Sequence, residues 1–385
     1  MCMGARRGST PFIIGGFKRN CAVSTWHVVR AFFSRLTDVN TRHMRAKVTM
    51  PKLHFLTTRM TRFKPIAGRG LVTALLGASL GAAQAAGVQR MVMAGAPADS
   101  PVSQALLWTP CAKPSEALTL GPFVVRAVKD CEVQAPQKLP LVVISHGFAS
   151  TNLSHHDVAT ALADSGFAVL SINHSLDSLY NMAQAGTFAA LAVRPSDVQR
   201  AINALLAHTE LGPKVDAQRI GLFGFSRGAY TGLLLAGAQP DFLRAQLGCT
   251  DMRIPICQDI RDRKVPPIAA TPDPRIKAYV LADPLAAFPD KASLAQVRAP
   301  VQMWASELGG EFVVPQAVQA QAQQLPSGAE LHVVKGASHF AFLPPCTPQM
   351  AAQAGEICTD PPGFDRAAFQ QQFITAVRRF FQQKL

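Results

Sequence analysis

Hydrophobic and polar positions alternate in blocks from residue 138 onwards, and the blocks predict strands and helices in turn. Continuous apolar runs rich in β-branched residues are typical of buried parallel strands. Apolar residues three and four positions apart, bounded by Pro, Ser or Gly, indicate helices. The predicted strands are 141–145, 167–173, 219–224, 275–283, 299–306 and 329–336, and the predicted helices are 155–166, 194–208, 227–238 and 367–385.

This alternation predicts an α/β fold, with a mostly parallel central sheet and helices on both of its faces. Residues 101–131, which include LLWTP and GPFVVRAV, are expected to add antiparallel strands at the start. The helix over 194–208 is expected to begin at Pro195 and Ser196, because these residue types mark helix starts. No repeat or low-complexity tract follows residue 86, so 86–385 is predicted to be one domain.

The net charge of +14 would favour nucleic acid if it were spread over the chain. It is not: residues 1–70 hold 14 of the 38 Lys and Arg residues but one of the 24 acidic residues, Asp38. The remainder is nearly neutral, so no nucleic-acid partner is predicted. With 48% hydrophobic and 16% charged residues, the composition excludes a wholly disordered chain, a coiled coil or a collagen.

Residues 60–85 have the pattern of a bacterial secretory signal peptide. Basic residues follow Met60, the apolar run LVTALLGASLGAA occupies 71–83, and an Ala-x-Ala site allows cleavage before Ala86. The run is too short and too rich in Ala and Gly for a good membrane span. A retained anchor and a buried helix are the alternatives. The signal predicts a periplasmic or secreted protein with no stable membrane span after cleavage.

Residues 1–59 precede this signal and are rich in Arg without periodicity. Because secretory signals normally begin at the start codon, we expect 1–59 to be an over-extended, disordered start, with Met60 or Met50 as the true one. A transit peptide is the alternative, but it would not explain an Ala-x-Ala site so far along the chain.

Export predicts disulfides, and the cysteines agree with it. Of the 8 cysteines, Cys2 and Cys21 precede residue 85, and an even number remains after it. Proximity along the chain favours three local couples, with free buried thiols as the alternative. No two cysteines have the Cys-x-x-Cys spacing of a zinc ribbon, so none is predicted, and no other motif implies a metal or a cofactor. The predicted couples are Cys111 with Cys131, Cys249 with Cys257, and Cys346 with Cys358.

The main chemical motif is Gly224-Phe225-Ser226-Arg227-Gly228, which lies between a predicted strand and a predicted helix. A sharp strand-to-helix turn with small residues on either side lifts the serine hydroxyl above the sheet, at the positive end of the helix. Ser226 is therefore the candidate nucleophile, and the backbone N–H of Arg227 is a candidate oxyanion donor. An ordinary glycine-rich turn is the alternative.

A serine nucleophile needs a base in hydrogen-bond reach and an acid that orients the base. His339 directly follows the last predicted strand and is the candidate base. Asp283 ends the strand after the nucleophile and is the favoured acid. Glu307 and Glu311 follow the next strand and are the alternative acids.

The run His146-Gly147-Phe148 follows the first strand of the parallel series, and the Phe148 N–H is the candidate second oxyanion donor. Two further histidines, His155 and His156, begin a predicted helix and are expected to be solvated or to cap it. Residues 175–193 are apolar and fit either an acyl pocket or a covering helix.

The run LVVISHGFASTNLSHHDVATALADSGFAVLSINH, the GFSRG turn and the strand end LADPLAAF together resemble the α/β-hydrolase superfamily. Within it, roughly residues 105–385 resemble the predicted dienelactone hydrolases and are similar to the platelet-activating-factor acetylhydrolases of the plasma type. The resemblance implies Ser226 as nucleophile, Asp283 as acid and His339 as base, with Phe148 and Arg227 as oxyanion donors.

In the acetylhydrolases the acid follows the strand next after the nucleophile, which favours Asp283. There a Ser-Glu pair also follows the next strand without being the acid, as Ser306-Glu307 would here. Two features depart from the family pattern. True dienelactone hydrolases use a cysteine nucleophile where this chain has Ser226, and Ala229 and Arg227 replace a usual Gly and a commoner apolar residue.

These residues predict a serine-dependent hydrolase of small-molecule carboxylic esters with a short or modest acyl group, acting through an acyl-enzyme. A lactonase, a peptidase or an acyltransferase on the same scaffold is the alternative, followed by a non-catalytic binding protein. The sequence does not indicate the natural substrate or the oligomeric state.

Overall fold

A computed structural model describes residues 85–93, 104–133, 137–245, 247–249, 251–310 and 312–385. The strands are β1 Ala85–Val92, β2 Gln104–Cys111, β3 Glu116–Leu120, β4 Phe123–Lys129, β5 Leu139–Ser145, β6 Ala168–Ser171, β7 Val215–Phe225, β8 Ile276–Ala282, β9 Val301–Ser306 and β10 Glu330–Val334. The α-helices are α1 His156–Ala163, α2 Phe188–Ala207, α3 Arg227–Leu235, α4 Pro255–Arg261, α5 Lys291–Leu294, α6 Pro315–Gln324, α7 Pro348–Gln353, α8 Gly355–Cys358 and α9 Arg366–Lys384. Short 3₁₀ helices occupy Gly212–Lys214 and His339–Phe342.

In the described part of the chain, ten strands form one sheet in the order β10-β9-β8-β7-β5-β6-β2-β1-β4-β3. The strands from β5 to β10 pair in parallel with their neighbours. At the other side of the sheet, β2 runs antiparallel to both β6 and β1, and β3 runs antiparallel to β4. The predicted parallel sheet with antiparallel strands at its start is therefore confirmed.

Helices cover both faces of the sheet because successive residues of each central strand point to opposite sides. Along β5, Leu141 and Val143 join one buried apolar cluster, which includes residues of α2, α3 and α6. Val142 and Ile144 join the other, which includes residues of α1 and α9. The core is thus two layers, one on each face, and the central strands contribute to both.

The predicted start of α2 is wrong. The helix begins at Phe188, where the side chain of Thr187 accepts a hydrogen bond from the Ala190 N–H at 3.4 Å, and Pro195 lies inside it. A proline usually ends or starts a helix because it lacks an N–H. Here α2 continues through it, because its inner face, including Phe188 and Leu191, is buried against the sheet. The segment 175–193 thus contributes to a covering helix.

Strand β1 was not predicted, and it lies between β2 and β4. Its Gly87 allows β1 to approach Cys131 closely, since a Cβ there would lie 2.8 Å from the Cβ of Cys131.

Cleavage before Ala86 would remove a single residue from strand β1. The remaining part of the signal peptide, the segment 1–59 and the cysteines Cys2 and Cys21 lie outside the described residues. The division into 1–59, 60–85 and 86–385 therefore stays a prediction.

The three couples that proximity predicted are the three disulfides of the structure: Cys111–Cys131, Cys249–Cys257 and Cys346–Cys358. Such bonds form and persist in oxidising compartments. None of the helices in the described ranges is long and apolar enough to cross a bilayer.

Candidate active site

The carboxyl ends of five neighbouring parallel strands meet at one edge of the sheet, and chemically reactive residues follow them. His146 follows β5, Ser226 follows β7 and Asp283 follows β8. Glu307 follows β9, and His339 lies a few residues beyond β10. The topology therefore brings the candidate residues to one edge, although they are widely separated in the sequence.

Ser226 occupies a strained turn between β7 and α3. Its φ is 56° and its ψ is −116°, a conformation that side-chain-bearing residues rarely adopt. The two flanking positions must be glycine because neighbouring backbone atoms leave no room for a side chain there. A Cβ at Gly224 would lie 2.3 Å from the carbonyl oxygen of Gly228, and a Cβ at Gly228 would lie 1.8 Å from the carbonyl oxygen of Ser145. The turn therefore has the form that the Gly-x-Ser-x-Gly pattern predicts.

His339 and Asp283 form a buried pair at the same edge. The Nδ1 atom of His339 lies 2.9 Å from Oδ2 of Asp283. Asp283 also accepts hydrogen bonds from the backbone N–H of Ser306 at 2.8 Å and from its hydroxyl at 2.6 Å. With a carboxylate as partner, Nδ1 carries the proton, which leaves the lone pair of the imidazole on Nε2. This is the tautomer that a general base needs.

The alternative acid, Glu307, lies elsewhere. Its Oε2 accepts a hydrogen bond from the backbone N–H of Gly336 at 2.7 Å, at the exposed end of the loop that leads to His339. Glu307 thus ties two loops together without binding the imidazole. Glu311 lies outside the described residues.

Ser226 and His339 are linked through Phe225. The Phe225 ring stacks on the His339 imidazole, with ring centroids 4.7 Å apart and planes inclined by 24°. Within the described residues, no hydrogen bond joins the Ser226 hydroxyl to His339. Bonds between a nucleophile and its base are often long without substrate and shorten in the reacting complex.

The turn after β5 packs directly against the serine. A Cβ at Gly147 would lie 3.1 Å from the Phe225 ring and 3.4 Å from the Cβ of Ser226. The candidate donor residues Phe148 and Arg227 therefore belong to two backbone segments that touch beside Ser226.

Comparisons with known proteins bear on the fold. No protein-family description and no curated protein matches the chain. Among solved structures, the chain is similar to a ferulic acid esterase from Streptomyces cinnamoneus, with a TM-score of 0.54 and 17% sequence identity. The similarity covers 80% of this chain and 91% of that one. The fold is that of the α/β-hydrolases.

Behind the turn at Ser226 lies a buried ion-pair cluster centred on Asp177. Arg194, on α2, pairs with Asp177 and also donates to the His146 carbonyl oxygen and, at 3.0 Å, to the Thr231 hydroxyl. Burial lowers the pKa of Arg194 to about 10, so the guanidinium stays charged at neutral pH. Burial also raises the pKa of Asp177, against the opposing effect of the two arginines.

Arg227 completes this cluster with its side chain. Its Nη1 lies 2.8 Å from Oδ2 of Asp177 and donates also to the Ala185 carbonyl oxygen. Its guanidinium carbon lies 4.3 Å from the centre of the Phe148 ring. The sequence assigned a role to the backbone N–H of Arg227 alone, whereas its side chain is buried and paired.

The structure also contains a buried Ser-His-Asp arrangement at another serine, Ser145. The Ser145 hydroxyl lies 2.8 Å from Nε2 of His174, and Nδ1 of His174 lies 3.1 Å from Oδ2 of Asp197. Ser145 and His174 are both 0% exposed, and the first turn of α3 lies against Ser145 at Gly228. Burial, followed by the charges of Arg194 and Arg200, lowers the pKa of His174 well below its usual value. A substrate cannot reach this serine, so the arrangement is structural.

This second network holds the turn after β5. The backbone N–H of His174 donates to Nε2 of His146 at 3.1 Å, and Nδ1 of His146 lies 2.7 Å from the Gly147 carbonyl oxygen. Because Nε2 accepts, Nδ1 carries the proton and His146 is neutral. Burial is the main cause that lowers the pKa of His146.

The sequence did not identify Asp177, Arg194, Asp197 or Ser145. One signal was available: Arg194 and Asp197 are charged residues three positions apart in an apolar stretch, which places both on one face of a helix. Asp177 lies in a loop, and its pairing with two distant arginines depends on tertiary structure.

The expectation that His155 is solvated or caps α1 is wrong. His155 is 1% exposed, its side chain makes no capping bond, and its ring packs edge-on against Phe223 and Phe225. Burial is the main cause that lowers its pKa to about 3, so the ring is neutral at physiological pH. His155 therefore packs against the Phe225 ring, which also stacks on the His339 imidazole.

Proposed function

We propose that the protein is a serine hydrolase of carboxylic esters that acts through an acyl-enzyme. The observation that carries the proposal is the strained backbone of Ser226 at the start of α3, at the same sheet edge as the buried His339–Asp283 pair. In this fold the triad follows the chain order Ser, acid, His, which Ser226, Asp283 and His339 also follow.

The proposed reaction begins when Nε2 of His339 accepts the proton of the Ser226 hydroxyl as Oγ attacks the ester carbonyl. The tetrahedral intermediate collapses when the bond to the alcohol breaks, and His339 returns the proton to the departing oxygen. Water then gives a proton to Nε2 of His339 as its oxygen attacks the acyl-enzyme carbonyl. The bond to Oγ of Ser226 breaks, Oγ takes the proton back from His339, and the carboxylic acid product is released. Throughout, Asp283 orients the imidazole and stabilises its protonated form.

The backbone N–H groups of Phe148 and Arg227 are the proposed donors to the oxyanion. Contact between Gly147 and Ser226 supports the first, and the position of Arg227 at the amino end of α3 supports the second. In serine hydrolases, each such donor typically lowers the barrier by about 3 kcal/mol.

We propose small-molecule esters with a short or modest acyl group as substrates. This follows the resemblance to predicted dienelactone hydrolases and platelet-activating-factor acetylhydrolases, and the similar solved structure is named as an esterase. Three disulfides and the predicted signal peptide support a periplasmic or secreted location. N-terminal sequencing of the exported protein tests the location, with Ala86 as the expected first residue and residues 1–59 on the mature chain as the contradicting result.

The test of function is hydrolysis of p-nitrophenyl esters of graded acyl length by the wild type, Ser226→Ala and Ser145→Ala. We expect the wild type and Ser145→Ala to turn over short esters and Ser226→Ala to lose at least about 1,000-fold of the activity. Matched lactones and anilides separate an esterase from a lactonase or a peptidase. Loss of activity in Ser145→Ala with full activity in Ser226→Ala would overturn the proposal.

A further inference from the structure

One buried carboxylate binds two arginines that belong to different elements. Oδ1 of Asp177 pairs with Arg194 on α2, and Oδ2 lies 2.8 Å from Arg227 on α3. All three side chains are almost completely buried. Burying charges costs solvation energy, and apolar replacements of such clusters often cost little stability. Fold stability alone is therefore a weak reason for this cluster.

Each arginine also reaches the turn after β5. Arg194 donates to the carbonyl oxygen of His146, the first residue of that turn. Arg227 lies over the ring of Phe148, two residues further along. Because Arg227 directly follows Ser226, Asp177 connects the backbone segment of the nucleophile to the segment that carries Phe148.

We propose that Asp177 is a positioning residue that sets the distance between the Phe148 and Arg227 backbone segments, and hence the geometry of the oxyanion site. The proposal rests on the proposed function. Oxyanion donors act over a narrow range of about 2.7–3.1 Å from the developing charge. Loss of the link between the two segments should therefore weaken stabilisation of the tetrahedral intermediate more than it weakens binding of the ester.

The cluster is separate from the proton-transfer machinery. The His339 imidazole is hydrogen-bonded to Asp283, and Asp283 accepts two hydrogen bonds from Ser306. None of the cluster residues bonds to His339 or to Asp283. A change at Asp177 should consequently leave the bond between His339 and Asp283 in place, and it should lower kcat even on the plateau of the pH profile. A general loss of packing around the site would not have this selectivity.

The central variant is Asp177→Asn, which keeps the side-chain volume and removes the charge. On p-nitrophenyl butyrate we expect kcat to fall by about 10- to 100-fold with little change in KM. The affinity for an alkyl boronic acid, which forms a tetrahedral adduct on the serine, should fall by a similar factor. The loss should persist on the plateau of the pH profile, because a shift of the midpoint caused by the removed charge does not affect the plateau.

The matched control is Asp273→Asn. Asp273 is also a buried aspartate paired with an arginine, Arg275, but it lies at the amino end of β8, at the opposite edge of the sheet. We expect this variant to lose stability without losing kcat or boronate affinity.

A second variant, Arg227→Met, keeps the backbone N–H and leaves Asp177 paired with Arg194. It tests the proposal even if Asp177→Asn fails to fold, because it should reduce kcat and boronate affinity in the same way. The double variant should be no worse than the poorer single variant, because both remove the same link.

Three results would overturn the proposal. The first is a folded Asp177→Asn or Arg227→Met with wild-type kcat, and the second is a reduced kcat with unchanged boronate affinity. The third is a loss of kcat that disappears on the plateau of the pH profile, which would place the effect on the titration of His339. In each case the wild type still hydrolyses esters, so the proposed function stands. A wild type that neither hydrolyses esters nor binds the boronate would remove the proposed function and this inference together.

Discussion

Ser226 shows at the scale of one residue how a sequence pattern becomes a reactive geometry. Its positive φ costs about 1–3 kcal/mol in a non-glycine residue. Close backbone packing at Gly224 and Gly228 holds the turn in this conformation, and a side chain at either position would collide with neighbouring backbone. The pattern Gly-x-Ser-x-Gly therefore describes a packing requirement at least as much as a chemical one.

Replacing Gly228 with Ala should destabilise the protein by about 3 kcal/mol or more, because the added Cβ would lie 1.8 Å from the Ser145 carbonyl oxygen. Urea unfolding measures the loss. Gly355→Ala is the control, since a Cβ there has no neighbour within 4 Å. Equal stability of the two variants would show that the first turn of α3 does not lie against β5 as described.

Asp283→Asn should lower kcat/KM by about 1,000-fold or more, because an amide cannot stabilise the protonated imidazole and favours the wrong tautomer. The matched variant Glu307→Gln should change it little, since an amide oxygen can still accept the hydrogen bond from Gly336. Both are measured as steady-state kinetics on one ester. The reverse ranking would move the role of the acid to Glu307.

At the scale of elements, α2 connects the core to the site. Its apolar residues pack on the sheet, while Arg194 and Asp197 reach the two buried networks behind the turn after β5. The prediction of a start at Pro195 failed because proline preference is local, whereas burial of the preceding turns depends on the sheet beneath them. Strand β1 was missed for a similar reason, because its pairing partners lie later in the chain.

The disulfide Cys111–Cys131 fastens the antiparallel strands, with Gly87 of β1 against it. Replacing both cysteines with Ala should cost about 3 kcal/mol through loop-closure entropy. A further loss should come from the space left by two buried side chains.

The comparison is the double Ala variant of Cys346 and Cys358, which are half-buried and 12 residues apart rather than 20. The shorter loop alone lowers the expected entropic loss by about 0.5 kcal/mol. Urea unfolding should show a smaller loss of stability for this second pair. An equal or larger loss would contradict the part assigned to burial.

At the scale of the whole molecule, the alternation of apolar runs was enough to predict the parallel sheet, its helical cover and the antiparallel start. It also brought Ser226, Asp283 and His339 to one edge, because parallel strands end on the same side. The choice between Asp283 and Glu307 could not be made from the residues alone, since both follow strands at that edge. The Asp177 cluster could not be predicted, because its members come from a loop and two helices whose packing no local pattern encodes.

The second Ser-His-Asp arrangement makes the identity of the nucleophile the central question. Ser145 has a hydrogen-bonded histidine but no access, whereas Ser226 has the strained turn and the neighbouring His339–Asp283 pair. Hydrogen-bond geometry alone would favour Ser145, whereas the strained turn of Ser226 and its 5% exposure, against 0% for Ser145, favour Ser226.

The most direct measurement is mass spectrometry of the mature protein after reaction with a fluorophosphonate. We predict one adduct, on the peptide that contains Ser226, which disappears in Ser226→Ala and persists in Ser145→Ala. An adduct on Ser145, or equal labelling of the wild type and Ser226→Ala, would contradict the assignment of Ser226 as the nucleophile.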